Sequence, residues 1–439
     1  MQVIFWTTTH AIYNIYLHPL RHFPGPKVRS AFQLPYTIRM LRGDWVQHTS
    51  KLHQKYGPVV RIAPNSLSFT QPEAWKDLYT QRNSKDRLVV RDHSVLPPFE
   101  AGPGSERTLL FSDETGHTHL RRIFGPAFST SATKAREASI QRLTDLLIAQ
   151  LDVNISTGGD NGERGGDLDE WLQYYAFDLG CELVFGQTFR CLEDEYLHPI
   201  IDTIQQTGKY ATLVSELYRY GIWQVLELLI PKSALATRLQ TYDFAFQAVD
   251  KRMAQGYVDG SADVFNMLVK DKSNVGWSAD DLRANGLFLA VAASDSLPFT
   301  LCSAMRLLCH SPEALYTLRR ELDIHCEKAE DLTLKTLNRL PYLNAVIKET
   351  FRIFPPGNLI SGRKILSAGG HTIAGNWVPA GTTCSVSSYS TCHSALNFAR
   401  PDDFVPERWL DEPASEFLND SRDASQPFSI GSRSCIAEE

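Results

Sequence analysis

Close to the C-terminus, one cysteine lies in a run of residues that could prepare its thiol for metal binding. The run is PFSIGSRSC, residues 427–435, and it ends at Cys435. Gly431 permits a tight turn, while Arg433 and nearby backbone N–H groups favour the thiolate, the form that binds metals. A thiolate on an apolar loop beside Phe428 suits the axial ligand of a haem iron. The alternative is an inert buried cysteine, the usual state of a lone cysteine.

Two charged segments upstream of this loop could form an ion-pair cluster. Glu349 and Arg352 lie three positions apart in the run KETFR, so a helix would place them on one face. Alone, such a pair is a surface salt bridge in most proteins and contributes little to stability. The segment 398–409, FARPDDFVPERW, offers Arg408 as a third partner.

A long apolar segment, residues 284–305, carries a single charged residue, Asp295. Hydropathy alone allows a transmembrane helix, but an acid in the middle of a bilayer is costly. We therefore expect a long core helix in which Pro298 leaves the carbonyl of Ser294 without its helical N–H partner. The resulting break should open a polar notch at Asp295 and Ser296, and such a notch in an apolar wall is a place for chemistry.

The elements that must position these residues are mostly helical. Helical periodicity predicts helices over 134–151, 168–185, 197–230, 234–255, 280–310, 312–328 and 340–353. Short alternating runs at 59–63, 66–70 and 371–379 predict a few strands. The glycine-rich segment 154–167 predicts a solvated loop between helices. The chain is therefore predicted to be mainly α, with a minor sheet.

Composition narrows the classes of function. The chain has 439 residues, of which 43% are hydrophobic and 21% charged, which excludes disordered, collagen-like and disulfide-scaffold proteins. Its length fits two or three domains, or one large helical unit. The formal charge of −6, with no basic stripe among aromatic residues, argues against a nucleic-acid partner. The scattered cysteines, without a CxxC pair, indicate a reducing compartment and predict no structural zinc. Cys384, Cys392 and His393 lie close in sequence, but their spacing predicts core packing.

The first twenty residues contain no Asp, Glu, Lys or Arg. Polar residues interrupt their apolar positions, so the segment is a poor transmembrane span. Trp6, Tyr13 and Tyr16 instead suit an interfacial position. We expect residues 1–20 to form a short N-terminal membrane anchor, with a buried N-terminal arm as the alternative.

In this order, the segments above resemble the cytochrome P-450 superfamily of haem-thiolate monooxygenases. The matching motifs are the F-x-x-G-x-R-x-C loop, the E-x-x-R helix and the P-E-R-W segment. Residues 292–296 (AASDS) are similar to the oxygen-activation motif A-G-x-D-T, and residues 117–121 (HTHLR) to the W-x-x-x-R helix. The resemblance runs from about residue 14 to residue 439. Residues 16–26 and 55–64 are similar to fungal microsomal enzymes of specialised metabolism, and residues 68–69 and 74–79 resemble the isotrichodermin C-15 hydroxylase type.

The resemblance implies a cytochrome P-450 fold, mainly α, with a long central helix over the haem and small peripheral sheets. It makes Cys435 the axial ligand of haem b, with Phe428 shielding the sulfur and Gly431 giving room for the turn. The positions that match haem-propionate ligands are His117, Arg121, Arg363 and Arg433. The positions that match a buried structural triad are Glu349, Arg352 and Arg408. The positions that match catalytic proton donors are Asp295 and Ser296.

The chain departs from the family pattern in its long helix. Ser296 stands where threonine is usual, Ala293 where glycine is usual, and Leu297 where a second hydroxyl is common. A serine can still relay protons, so monooxygenation remains the implied reaction. The methyl group of Ala293 should narrow the oxygen-side groove and so alter oxygen coupling.

The implied function is insertion of one oxygen atom from O2 into a small lipophilic compound of fungal specialised metabolism, such as a terpenoid or polyketide. Electrons would come from NADPH–cytochrome P-450 reductase, with cytochrome b5 as a second candidate donor. The expected location is the cytosolic face of the endoplasmic reticulum membrane, with the membrane surface as a further partner. Residues 21–439 would form a single catalytic domain. Because the family continues past the cysteine with a helix and a hairpin, the alternative hypothesis is a C-terminally truncated, inactive chain.

Overall fold

The computed structural model describes residues 1–80, 88–92, 108–157, 167–196, 201, 212–222, 243, 246–270, 278–357 and 362–438. Helices dominate this part of the chain, as the periodicity predicts. The first eight are α1 Gln2–Ile12, α2 Lys27–Ala31, α3 Leu34–Arg42, α4 Trp45–Tyr56, α5 Glu73–Tyr79, α6 Glu114–Phe124, α7 Thr130–Ala135 and α8 Glu137–Thr157. The next eight are α9 Leu168–Phe185, α10 Cys191–Asp194, α11 Val264–Lys270, α12 Ala279–Cys309, α13 Pro312–His325, α14 Leu334–Leu337, α15 Pro341–Ile353 and α16 Ser388–Cys392.

Short strands make up the minor sheet structure. They are β1 Val59–Ala63, β2 Ser66–Phe69, β3 Val89–Arg91, β4 Arg363–Ile365, β5 His371–Ile373, β6 Asn376–Val378 and β7 Thr383–Val386. Five of them form one sheet in the order β1-β2-β7-β4-β3, and β5 pairs with β6 in a separate hairpin. In the larger sheet, β2 pairs with β7 in parallel and the other neighbours are antiparallel.

Contacts divide the chain into two compact units. The sheet unit comprises Met1–Leu96, Leu307–His325 and Arg339–Cys435. The helical unit comprises Pro97–Arg306, Cys326–Asn338 and Ile436–Glu439. In the sheet unit, Leu67 and Phe69 of β2 pack with Trp75 and Leu78 of α5 in a buried core. In the helical unit, aromatic residues such as Phe124, Phe177 and Phe265 form the core.

The long helix α12 packs inside the helical unit. Its length and composition would allow it to cross a membrane. However, Asn285 is fully buried and its side-chain oxygen accepts a hydrogen bond from the Leu109 N–H at 3.2 Å. A Cβ at Gly286 would lie 2.5 Å from Val249 and 3.1 Å from Phe265, so neighbouring side chains press against the helix backbone. These contacts are those of a core helix.

Several predicted boundaries agree with the structure. Helix α9 spans residues 168–185 and strand β1 spans residues 59–63, as predicted. The loop predicted over 154–167 is wrong at its start, because α8 continues to Thr157. The single run predicted at 371–379 is two strands, since Ala374 and Gly375 adopt positive φ values in a tight turn. Most of the helices predicted over 197–230 and 234–255 lie outside the described residues.

The N-terminal helix α1 is exposed rather than buried. Ile4, Phe5 and Trp6 are all at least 65% exposed, which contradicts the alternative of a buried arm for this helix. The chain is tied down just after it, at Asn14. The Asn14 side-chain amide donates to the Ala31 carbonyl at 3.0 Å, and the Asn14 carbonyl accepts from Nη1 of buried Arg61 at 2.8 Å.

Candidate active site

The cysteine loop of the sheet unit has a fixed backbone and an exposed thiol. Ser429 and Gly431 adopt left-handed φ values of 59° and 83°, which fold the chain back on itself. The Cys435 N–H donates to the Phe428 carbonyl at 2.7 Å and closes the turn. Cys435 itself is exposed, which contradicts the burial that the alternative of an inert cysteine assumed.

Helix α5 packs against this loop, a contact that we did not predict from the sequence. A Cβ at Gly431 would lie 1.9 Å from the Tyr79 carbonyl oxygen, so only glycine allows this approach. The Trp75 indole N–H donates to the Ala424 carbonyl at 3.2 Å, just before the loop. Trp75 and Tyr79 lie one helical turn apart in the sequence. This spacing was the one signal that could have predicted that both side chains lie on one face of α5.

The loop also packs against α15. The rings of Phe428 and Phe351 lie edge to face, with centroids 5.3 Å apart. Since Phe351 lies between Glu349 and Arg352 on α15, the same helix carries the charged cluster and backs the cysteine loop.

The exposed thiol fits a metal ligand better than the buried cysteines do. Burial raises the pKa of Cys392 to about 12 and also raises the pKa values of Cys181 and Cys384, which keeps these thiols protonated. Cys309 is exposed as well, but it ends helix α12 and has no comparable loop. Among the described residues, no group of three His, Cys, Asp or Glu side chains could hold a metal ion.

The four side chains predicted to bind propionates lie on a strand, a helix and the cysteine loop. In the sheet unit, buried Arg363 begins β4 with its guanidinium 4.4 Å above the Tyr79 ring, and half-buried Arg433 lies in the cysteine loop. In the helical unit, buried His117 and half-buried Arg121 lie one turn apart on one face of α6. Two of these four side chains therefore belong to each unit.

The Glu349 carboxylate is the centre of a fully buried charge cluster in the sheet unit. Arg352 donates to it through Nε and Nη2, both at 2.8 Å, in a bidentate pair. Arg408 donates through Nε at 3.1 Å. The Trp409 indole N–H and the Val405 backbone N–H donate at 2.8 and 2.9 Å. Glu349, Arg352 and Arg408 are all 0% exposed.

A second acid completes this cluster. Nη1 of Arg408 donates to the Asp420 carboxylate, whose side chain is 2% exposed. Two guanidinium groups therefore face two carboxylates, and the buried charges balance. The remaining Arg352 donors reach the carbonyls of Cys392, which precedes segment 398–409, and of Asp403, which lies within it. Neither Asp420 nor the contact of Trp409 with Glu349 was predicted from the sequence.

The predicted break in the long helix is absent. Helix α12 continues from Ala279 to Cys309 through Pro298 without interruption. The polar stretch is real: Ser294 is buried, and Asp295 and Ser296 are exposed. The Ser294 hydroxyl donates to the Ala290 carbonyl at 2.7 Å and the Ser296 hydroxyl to the Ala292 carbonyl at 3.0 Å. These bonds to the preceding turn satisfy the hydroxyls within the helix.

The methyl group of Ala293 faces α9. A Cβ at Gly180 of α9 would lie 2.9 Å from the Ala293 Cβ, so a missing side chain on one helix makes room for the methyl group of the other. We expected this methyl group to narrow the oxygen-side groove. The structure instead gives it a role in packing α12 against α9.

Comparison with known proteins identifies the family. The family model described as cytochrome P-450 matches residues 23–439. An averantin hydroxylase of Dothistroma septosporum is 36% identical over 439 residues, covering 100% of this chain and 80% of that protein. The cytochrome P-450 monooxygenase stcF of Emericella nidulans is 34% identical over 440 residues, covering 100% of this chain and 87% of that protein. The chain belongs to the cytochrome P-450 family.

This membership confirms the predicted family, fold class and reaction class. The chain is a cytochrome P-450 monooxygenase, an oxidoreductase similar to enzymes of fungal secondary metabolism. Its family uses a haem-thiolate iron as cofactor, and its reaction consumes O2 and electrons from a redox partner. The exposed Cys435 thiol and the aromatic support of its loop fit such a group.

Proposed function

We propose that Cys435 is the axial thiolate of a haem b in this P-450. The observation that carries this proposal is an exposed thiol on a closed turn, held by α5 on one side and by Phe351 of α15 on the other. When bound, the thiolate-ligated iron supplies dioxygen activation. Phe428 restricts water around the sulfur, and Gly431 allows the close approach to Tyr79.

The remaining site residues divide between holding the cofactor and moving protons. Arg363, Arg433, Arg121 and His117 would bind the two propionates, because guanidinium groups pair well with carboxylates. Asp295 and Ser296 would deliver the protons that the reaction consumes. Glu349, Arg352 and Arg408 would keep segment 398–409 in place behind the cysteine loop, an architectural role.

The substrate class follows from the relatives. We propose a small lipophilic compound of the terpenoid or polyketide type, with averantin as the first probe because two similar enzymes are averantin hydroxylases. A shift of the Soret band on addition of averantin, with a hydroxylated product, would support this choice. A terpenoid that shifts the band when averantin does not would redirect it within the proposed class.

We propose NADPH–cytochrome P-450 reductase as the electron donor, with cytochrome b5 as an auxiliary donor. The exposed apolar side chains of α1 support attachment to a membrane, for which we propose the cytosolic face of the endoplasmic reticulum. Residues 21–439 would then form the catalytic domain beside this anchor.

The axial ligand can be tested by spectroscopy. The reduced, carbon-monoxide-bound protein should show a thiolate-type Soret maximum, and Cys435→Ala should abolish it. Cys309→Ala removes the other exposed cysteine and should leave the band unchanged. A thiolate-type band that survives in Cys435→Ala would exclude Cys435 as the ligand.

A further inference from the structure

A cavity of about 150 Å³ lies between α9 and α12 in the helical unit. Asp169 and Gln173 of α9 and Ser294 and Asp295 of α12 provide its polar walls, and Ile201, Pro298 and Phe299 complete it. A cavity of this volume with several polar partners can hold a short chain of water molecules. Its two carboxylates lie on different helices and line the same space.

Asp169 belongs to the α9 wall of this cavity. It is exposed, in the first turn of α9, and both of its carboxylate oxygens are engaged. One oxygen accepts from the Gln173 amide at 2.7 Å, and the other accepts from the Cys302 thiol at 3.2 Å. Because Cys302 belongs to α12, the thiol holds the Asp169 carboxylate toward the helix that carries Asp295.

Asp295 lines the cavity and directly precedes Ser296 on α12. Consecutive residues of an α-helix are about 100° apart, so Ser296 lies on the adjoining face. Asp295 is thus placed to take a proton on the cavity side and release it on the side of Ser296.

From this arrangement we infer that Asp169 is the outer proton station of the enzyme and reprotonates Asp295 through the waters of the cavity. A proton moves from bulk water to the Asp169 carboxylate, then along the waters to the Asp295 carboxylate, which has given its own proton to the reacting dioxygen. The inference rests on the proposed role of Asp295. No electron moves in these steps, and both carboxylates return to their starting charge.

If Asp169 had only a structural role, its removal would have a different effect. An acid in the first turn of a helix stabilises the helix dipole, and its loss would lower the stability of the fold without altering proton supply. The test therefore needs a measurement that depends on protons and not on stability.

The ratio of hydrogen peroxide released to NADPH consumed provides that measurement, and it needs no substrate. Reduction of O2 to peroxide consumes two electrons and two protons, whereas reduction to two waters consumes four of each. Slower proton supply should therefore raise the peroxide fraction. With full-length haem-loaded protein and a fungal reductase, we expect Asp169→Asn and Asp295→Asn each to raise this ratio about twofold or more.

Controls separate this proposal from the proposed function. Glu170→Gln changes the next carboxylate of α9, which pairs with Tyr174, and should leave the ratio unchanged. Asp169→Glu should restore the parent ratio, because it restores the titrating group. An effect of Asp295→Asn without an effect of Asp169→Asn would overturn the outer station and retain Asp295. No effect of Asp295→Asn would overturn both.

The thiol of Cys302 offers a second measurement that does not require turnover. Burial first, and then the Asp169 carboxylate, raise the pKa of Cys302 to about 12. Asp169→Asn should therefore speed alkylation of Cys302 by iodoacetamide at pH 9 about threefold or more, measured by peptide mass spectrometry. Glu170→Gln should not change the rate. An unchanged rate in Asp169→Asn would show that Asp169 does not contact α12, and the proposal would fail.

Discussion

Glu349 accepts hydrogen bonds from five donors, three of which belong to arginine side chains. Both arginine partners are fully buried, and they are also held over aromatic rings: Arg352 lies 5.1 Å from the Phe398 ring and Arg408 4.6 Å from the Phe417 ring. A buried cation that loses its acid cannot be rehydrated without opening the structure, so removal of one member costs far more than at the surface.

We therefore predict that Glu349→Gln lowers the free energy of unfolding by about 3–5 kcal/mol. The matched control is Glu416→Gln, which removes an acid paired with Arg400 at a half-exposed position and should cost about 1 kcal/mol or less. Urea denaturation followed by circular dichroism measures both. Equal losses in the two variants would contradict a special role for the buried cluster.

The sequence predicted only part of this cluster. Glu349 and Arg352 are visible because their spacing matches one helical turn, and Arg408 because it belongs to a recognisable segment. Asp420 follows Arg408 by 12 residues and lies in a stretch of irregular turns, where no periodicity indicates which side chain is buried. Its place in the cluster follows from tertiary packing alone.

Between elements, helices α9 and α12 approach each other closely at Gly180 and Ala293. Any Cβ at Gly180 would overlap the Ala293 methyl group. The two positions therefore form a complementary pair, one without a side chain and one with the smallest side chain. Comparison of α12 with the family motif could not reveal this pair, because the compensating glycine lies on a different helix.

We predict that Gly180→Ala destabilises the protein by about 1–3 kcal/mol through overpacking. Adding Ala293→Gly should restore most of the loss, because the double variant again places one methyl group in the gap. Thermal unfolding of the parent, both single variants and the double variant gives the coupling energy. Additive effects would show that the two residues do not share this space.

A buried histidine joins another helix to the sheet. The His53 ring of α4 is 8% exposed, with Nδ1 2.9 Å from the Gly57 carbonyl and Nε2 2.8 Å from the Ser68 hydroxyl of β2. The carbonyl fixes the proton on Nδ1, so Nε2 accepts from the hydroxyl. Burial lowers the pKa of His53 from 6.5 to about 4, so the folded state keeps it neutral.

This shift predicts a pH dependence. Between pH 6.5 and about 4, the unfolded chain protonates His53 and the folded chain does not, so stability falls as the pH falls through this window. The full contribution is about 3 kcal/mol, present above pH 6.5 and lost near pH 4. His53→Gln should flatten the corresponding part of the stability–pH profile, measured by urea denaturation. His22→Gln alters an exposed histidine, and an equal flattening there would contradict the assignment to His53.

The shortest secondary-structure elements were the hardest to predict from the sequence. The long helices α9, α12 and α15 show several turns of periodicity, so their positions were predicted closely. Strands β3, β4 and β7 have three or four residues each, too few for alternation to be distinguished from chance. Their partners lie far along the chain, so pairing depends on the assembled sheet.

On the scale of the sheet unit, the described apolar surface extends along α1 and continues on α2 and α3. Val28, Leu34 and Leu41 are exposed there, in addition to the side chains of α1. Soluble proteins rarely expose a continuous apolar surface of this kind to water. The bonds of Asn14 to Ala31 and Arg61 hold the base of α1 against this unit, so the helix presents its apolar side chains from a fixed point.

We predict that this surface binds lipid bilayers. Replacing Ile4, Phe5 and Trp6 together by serine should weaken co-sedimentation with phosphatidylcholine vesicles by more than about tenfold, because each apolar side chain contributes on the order of 1 kcal/mol when it leaves water. The control replaces Tyr316, Ile324 and Leu396 by serine, which are similarly exposed residues of the same unit. Since all six side chains are exposed, thermal unfolding should stay unchanged in both variants. Similar losses in the two triple variants would mean that vesicles bind any exposed apolar residue, and α1 would then have no special part in attachment.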